Sequence, residues 1–279
     1  MLPRLTDDQE VKSNEKNTPN EKIIDITLKN YYASFPKESV LKTLLKNAFV
    51  INRPLDQVGG DGYWLHESHG VIFLVVFDCM GHGRLASIMT RIYISAIRQT
   101  IQDDEVEDPG CILTAIHNRI KAYFESKKNT QIGSGADIGI LKLDAHNSKI
   151  EYAGSKMDLV YTHQGEVHRI KANKRQVGDL FDFDRDYTTI VLDWKRTTAP
   201  ANIYLFSDGV TDLIGGAQNK KLKFKGFQRM LEEIIDQSFG NHKKLLEEKL
   251  TKWSGRNHQT DDLLLIGLSV TEDYFLATT

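Results

Sequence analysis

Four places in this chain set an aspartate against an apolar run. Asp61 precedes GYWLH, Asp78 follows VIFLVVF, Asp208 follows NIYLFS, and Asp261 with Asp262 precedes LLLIGLSV. One aspartate in such a place is ordinarily a turn residue or a helix N-cap. Together they carry a different implication. Carboxylates gathered without cations oppose one another's ionisation. A donor set made only of oxygens selects hard ions such as Mg²⁺ or Mn²⁺ over zinc. Two such ions about 3.5–4 Å apart activate a water and neutralise a phosphoryl group. The chemistry to expect from such a set is metal-assisted phosphate-ester hydrolysis.

Other residues offer rival chemistry. Cys79 with Arg84 is similar to the nucleophile and phosphate-binding arginine of cysteine phosphatases. The gap is one residue too short, however, no histidine precedes the cysteine, and the adjacent Asp78 would raise the thiol pKa. Cys79 reads better as a small buried residue lending its carbonyl. His82, between two glycines, sits where it could protonate a leaving oxygen, but a loop hydrogen bond is the plainer role. Arg53 and Arg84 could meet a phosphate, although surface arginines are common. Gly133 to Gly139 has nucleotide-loop glycines but runs into strand-like residues, so it reads as a turn entering a strand.

The elements that must position the aspartates follow from pattern. DGYWLH alternates and VIFLVVF is continuously apolar. With turn residues at 67–70 between them they form a hairpin that places Asp61 and Asp78 at the same end. A helix is expected from Gly83 to Gln102, with Ile88, Ile92, Ile94 and Ile97 at roughly helical spacing. A second begins at Pro109 with Ile112, Ile116 and Ile120 on one face. ADIGILKLD, KIEYAG, DLVYTH, EVHRI, TTIVLDW and NIYLFSD read as strands, 222–237 and 241–253 as helices, and LLLIGLSV as the last strand. If that last strand runs antiparallel to the one ending at Asp78 or Asp208, the carboxylates gather on one sheet edge. Strand runs uninterrupted by helices favour antiparallel sheets with helices packed outside.

The ordered motifs GGDGYW (59–64), DCMGHG (78–83), SDGVTD (207–212) and TDDLLLI (260–266) resemble those of the SpoIIE-type branch of the PPM metal-dependent phosphatases, over roughly residues 45–270. The resemblance implies an α+β fold, a four-layer α-β-β-α sandwich of two antiparallel sheets flanked by helix pairs. It implies two Mn²⁺ or Mg²⁺ ions, with Asp78 bridging both and Cys79 offering its backbone carbonyl. Asp208 and Asp261 would hold one ion, and Asp61 would act near the other. It implies hydrolysis of phosphoserine or phosphothreonine by a metal-activated water without a phosphoenzyme. The implied substrate is a phosphorylated STAS-domain protein of bacterial partner switching. The chain departs from the branch at Gly62, where an aromatic residue is frequent, and at Arg84–Ser87 after GHG.

The bulk properties are those of an ordinary globular protein: 279 residues, 40% hydrophobic, 27% charged, formal net charge -2. They give no reason to expect nucleic acid, and no apolar run is long enough to cross a bilayer. Two cysteines make no disulfide framework, which fits a cytoplasmic protein. Residues 1–22 read as a flexible tail, 23–46 as a helical lead-in that could dock or switch, and 47–279 as the phosphatase domain. A homodimer is compatible with all of this. A metal pair supplies charge but little side-chain selectivity. Substrate discrimination is therefore expected from 23–46 and from the loops of 155–190, which carry Lys156, Lys171, Lys174 and Arg175. The other function class to weigh is a pseudophosphatase, a binding module of the same fold. Retention of Asp61, Asp78, Asp208 and Asp261 argues against it.

Overall fold

The apolar run Val71–Cys79 forms strand β3, and its two sides serve two different cores. Ile72, Leu74 and Val76 enter one, while Phe73, Val75, Phe77 and Cys79 enter the other. A strand apolar on both faces must lie inside a layered molecule. The structure is a computed structural model describing residues 31–81, 83–126, 135–179, 186–192 and 201–270.

Two five-stranded sheets make the central layers. The first runs β2 (Asp61–Ser68), β3, β4 (Ala136–Asp144), β5 (Lys149–Ser155), β8 (Ile190–Leu192), all neighbours antiparallel. The second runs β1 (Ala48–Arg53), β12 (Leu263–Val270), β9 (Ala201–Phe206), β6 (Leu159–His163), β7 (Glu166–Ile170), also antiparallel throughout. A short ribbon joins β10 (Ile214–Gly215) to β11 (Lys220–Lys221). Between the sheets lie Tyr63, Leu74, Leu141, Tyr152, Leu205 and Ile266, among others. Helices α2 (Gly83–Arg98) and α3 (Pro109–Ser126) cover the outer face of the first sheet. Helices α5 (Lys223–Glu232) and α6 (His242–Ser254) cover that of the second. This is the four-layer α-β-β-α sandwich expected from the sequence.

Helix α3 begins as its sequence dictates. Pro109 occupies the first turn, Asp108 Oδ1 accepts the Cys111 N–H at 2.9 Å, and Ile112, Ile116 and Ile120 form the buried stripe. Helix α2 differs from expectation. Its buried face is Ala86, Met89, Tyr93, Ala96 and Ile97, whereas Ile88 is 56% exposed. Steps of three, then four, then three or four residues along a 3.6-residue helix select that set. Of the expected isoleucines, Ile97 lies on that face and Ile92 and Ile94 pack beside it, so isoleucine content misplaces Ile88 alone. After Arg98 the helix widens into a π-turn, Gln99–Asp103. Among the described residues the lead-in carries a short helix, α1 (Glu38–Leu44), whose Leu41 enters the core between the sheets. Among the described residues no helix is long and apolar enough to cross a membrane.

Candidate metal centre

Register brings the first carboxylates together. Asp61 stands opposite Asp78 across β2 and β3, and Asp78 stands opposite Asp137 across β3 and β4. All three fall in strand parity with residues such as Tyr63, Val76 and Leu141, and so share the face turned to the space between the sheets. A row of aspartates therefore lines one mouth of the sandwich. The second sheet supplies the opposing set. Asp208 opens α4 (Asp208–Asp212) just after β9, and Asp261 and Asp262 lie just before β12, which pairs antiparallel with β9. The sequence-based expectation of one shared sheet edge is thus met differently. The carboxylates come from the facing ends of two sheets, because β12 pairs with β9 and β1 and not with β3.

Ser207 joins the two halves. Its Oγ donates to Asp61 Oδ2 at 2.6 Å and accepts the Leu264 N–H at 3.0 Å, while its own N–H donates to the Leu264 carbonyl at 3.0 Å. Asp262 spends its carboxylate on the chain, accepting the Leu55 N–H at 2.7 Å and the Gly60 N–H at 2.6 Å. A Cβ at Gly59 would lie 2.5 Å from Asp262 Oδ2, so the glycine pair before Asp61 lets this turn settle onto the carboxylate. A Cβ at Gly209 would collide with the Asp262 backbone carbonyl, which ties the SDG motif to the DD motif by close backbone approach. The lead-in adds a clamp: the Tyr31 hydroxyl donates to the Gly59 carbonyl at 2.8 Å and accepts the Gly59 N–H at 3.1 Å.

The electrostatics of the cluster are those of carboxylates lacking counter-charge. Burial pushes the Asp61 carboxyl up to about 8 against the Ser207 hydrogen bond, and Asp262, Asp261 and Asp208 push the same way. Asp78 rises well above the usual range, from burial first and then from Asp61, Asp208, Asp137 and Asp261. Desolvation and Asp261 raise Asp208 to about 6. Burial raises Asp137, while Gln176 and Lys156 pull it back. Asp61 Oδ1 and Asp137 Oδ1 are both buried without a hydrogen-bond partner. Two orphaned carboxyl oxygens on either side of Asp78 fit a cation. Among the described residues no three acidic, His or Cys side chains are already drawn together around a single point. Repulsion between the carboxylates acts in that direction. The residues fit hard divalent ions by donor type, by orphaned oxygens and by mutual charge.

Cys79 faces away from this site. Its side chain is fully buried in the core beneath α2 and α3, and burial with the neighbouring Asp78 holds the thiol well above its ordinary pKa. A buried neutral thiol is a poor nucleophile. Its carbonyl oxygen lies against Gly60, on the approach to Asp61. Arg53 reaches Thr251 Oγ1 on α6 at 3.5 Å. His82 and the side chain of Arg84 lie outside the described residues. Pattern reading singled out neither Asp137, Ser207 nor Tyr31, and left Asp262 undivided from Asp261. Asp137 could have been found by pairing ADIGILKL against VIFLVVFD and noting that both aspartates fall at the same level.

Comparison with known proteins bears on the family and the fold. Residues 68–271 match the family model of Stage II sporulation protein E (SpoIIE). No curated protein sequence matches the chain. Among solved structures, the SiaA-PP2C domain of Pseudomonas aeruginosa is 26% identical over 90% of this chain and 98% of that one, with a TM-score of 0.77. The PP2C phosphatase domain of SpoIIE with a fragment of its regulatory domain, from Bacillus subtilis, is 13% identical over 80% of this chain and 63% of that one, TM-score 0.64. The Mycobacterium tuberculosis serine/threonine phosphatase PstP/Ppp is 12% identical over 81% and 98%, TM-score 0.55. The last two likenesses are of fold.

Proposed function

We infer that this chain, which belongs to the SpoIIE family of PP2C-type phosphatase domains, hydrolyses phosphoserine or phosphothreonine on a protein substrate. The observation that carries the inference is the row Asp61–Asp78–Asp137 facing Asp208 and Asp261, with two buried carboxylate oxygens left unpartnered. Asp61, Asp78, Asp208 and Asp261 are the residues to hold two Mn²⁺ or Mg²⁺ ions, with the Cys79 carbonyl beside them. Such ions, when bound, would provide a water of lowered pKa and a counter-charge for the phosphoryl group.

The chain's own contribution is placement. Ser207 fixes the Asp61 carboxylate by a 2.6 Å hydrogen bond and ties it to the other sheet. Asp262 fixes the backbone on which Asp61 rides. Neither sheet alone completes the donor set, so the packing of the sandwich core assembles the site. Asp208, the most open of the set, marks the side from which a phosphorylated residue enters. A phosphorylated STAS-domain protein is the proposed substrate, on the SpoIIE-type resemblance. The test is phosphate release from a phosphoserine-bearing STAS protein by the purified chain with Mn²⁺ or Mg²⁺, repeated after chelation. Release that stops on chelation supports the reading. Binding of the phosphoprotein without any release would make the chain a pseudophosphatase.

A further inference from the structure

Beside the carboxylate row lies a cavity of about 280 Å³ lined by Asp137, Lys156, Asp158, Arg169, Asp208 and Lys223, among others. It is slightly smaller than the roughly 300–1,000 Å³ typical of small-molecule pockets. That size suits one phosphorylated side chain better than an extended ligand. Two of its lining aspartates, Asp137 and Asp208, belong to the candidate metal centre. The cations around it are not equivalent. Lys223, at the start of α5, is exposed, makes no ion pair among the described residues and also holds a positive φ of 59°, but its charge is not among the main influences on Asp137 or Asp208. Arg169 is engaged: it pairs with Asp158, and its guanidinium carbon lies 3.9 Å from the centre of the Phe224 ring. Lys221, nearby in sequence, is paired with Asp212 at 2.5 Å. Lys156 makes no ion pair among the described residues, although it is exposed at the cavity and its charge acts on Asp137.

The backbone at Lys156 is also unusual. It holds φ at 53°, in the left-handed region where glycine or asparagine is the ordinary choice. The turn around it is fixed from both sides. The Lys156 N–H donates to the Asn173 carbonyl at 2.6 Å, the Asn173 N–H donates to the Gly154 carbonyl at 2.8 Å, and the buried Ser155 hydroxyl donates to the Arg175 carbonyl at 2.5 Å. A long cationic side chain is therefore held in a costly conformation on a rigid turn, at the edge of a cavity floored by metal-site carboxylates. Strain of this kind persists where the surroundings over-determine it, and it clusters at functional sites.

We propose that Lys156 is a substrate-positioning residue that takes up the phosphoryl oxygens of the incoming phosphoserine or phosphothreonine in this cavity. The assignment rests on the phosphatase reading above and adds a contact between this chain and the substrate phosphate. An ammonium in that place offsets the repulsion between a dianionic phosphate and the aspartate row, and it leaves the ion-holding residues untouched.

Lys156→Asn provides the test, because asparagine tolerates the left-handed backbone while removing the charge. The expected melting temperature is unchanged or higher. KM for p-nitrophenyl phosphate and for the phosphoprotein should rise about 10- to 100-fold, the range of one charge-assisted hydrogen bond. Inhibition by inorganic phosphate should weaken by a similar factor. Lys156→Arg should stay near wild type in both, and the Mn²⁺ concentration for half-maximal rate should not move. Lys252→Ala, which removes an exposed lysine on α6 outside the cavity, should change nothing. Unchanged KM and phosphate inhibition in Lys156→Asn would overturn the assignment, as would a shift in Mn²⁺ dependence alone, which would mean that Lys156 merely balances Asp137. If the wild-type chain shows no turnover, the phosphatase reading fails separately. Calorimetric titration of the Mg²⁺-equilibrated protein with inorganic phosphate then decides the role of Lys156. Equal affinity in wild type and Lys156→Asn overturns it, and weaker binding in the variant supports it.

Discussion

Replacing Asp61 by asparagine should stabilise the metal-free protein, although Asp61 is among the residues best placed for function. Asp61 is 3% exposed, with Oδ1 unpartnered and Oδ2 accepting from Ser207. Its carboxyl is pushed from an ordinary 3.8 up to about 8. At pH 7 the unfolded chain ionises this group while the folded chain keeps it protonated. About 3 pH units at roughly 1.4 kcal/mol each gives an upper bound of about 4 kcal/mol of lost stability. The sign follows from the raised folded-state value. Stability is intact below about pH 4 and is lost as the pH rises towards 8. Asparagine cannot ionise, still accepts from Ser207, and places an NH₂ where the orphaned oxygen stood. Asp78 and Asp208 share the repulsion, so only part of the bound is recovered, about 1–3 kcal/mol. For a chain of this size that raises Tm by roughly 3–10 °C at pH 8 in chelator. The gain should shrink at pH 5. With saturating Mg²⁺ the order should reverse, since a ligand at 100 times its Kd adds about 2.7 kcal/mol to the wild type and less to the variant. Scanning fluorimetry at both pH values, with and without metal, reads all of this. A lower Tm for the variant in chelator at pH 8, or an equal Mg²⁺ response in both proteins, would refute the reasoning.

Three further outcomes follow from the same geometry. Ser207→Ala should lower Tm by the equivalent of about 1–3 kcal/mol, because it strips the hydroxyl that both donates to Asp61 and accepts from Leu264; thermal unfolding checks this. Gly209→Ala should cost more than about 2 kcal/mol and reduce metal affinity, since its methyl would meet the Asp262 backbone; an unperturbed Tm would mean that the SDG and DD motifs do not interlock as described. An intact phosphorylated STAS protein should give a higher kcat/KM than a peptide spanning its phosphosite, and equal values would show that the substrate's fold is not read.

Much of this candidate site is legible in the sequence because strands mark themselves. The alternation of DGYWLH and the continuous apolar run after it fixed the hairpin, so the Asp61–Asp78 pairing followed from turn position alone. Asp208 and Asp261 were found for the same reason, each bounding an apolar strand. Asp137 was harder, because its level depends on the register of a non-local pair separated by two helices. Periodicity gives each strand's faces but not which residues meet across it. Asp262 and Asp261 are chemically identical neighbours. The family resemblance implies Asp261 as the ligand, and the turn at Leu55 and Gly60, folded onto Asp262, gives the physical reason that Asp262 is a backbone anchor. On α2 the expectation fails at Ile88, because isoleucine content is a poorer guide than angular position. Tyr93 and Ala96 are buried while Ile88 is not.

The central claim is that aspartates, and not the adjacent cysteine, run a metal-dependent hydrolysis. It is tested most directly by the initial rate of phosphate release against free Mn²⁺ for wild type, Asp78→Asn and Cys79→Ala. Asp78 lies between Asp61 and Asp137 in the acidic row, whereas the Cys79 thiol is buried in the core on the other side of the sheet. The expected result is a saturable Mn²⁺ dependence in wild type that is retained in Cys79→Ala, with turnover in Asp78→Asn reduced by at least about 100-fold, more than the roughly 10–100-fold that losing a mere supporting partner of a metal ligand costs. An active Asp78→Asn beside a folded but inactive Cys79→Ala would contradict the account.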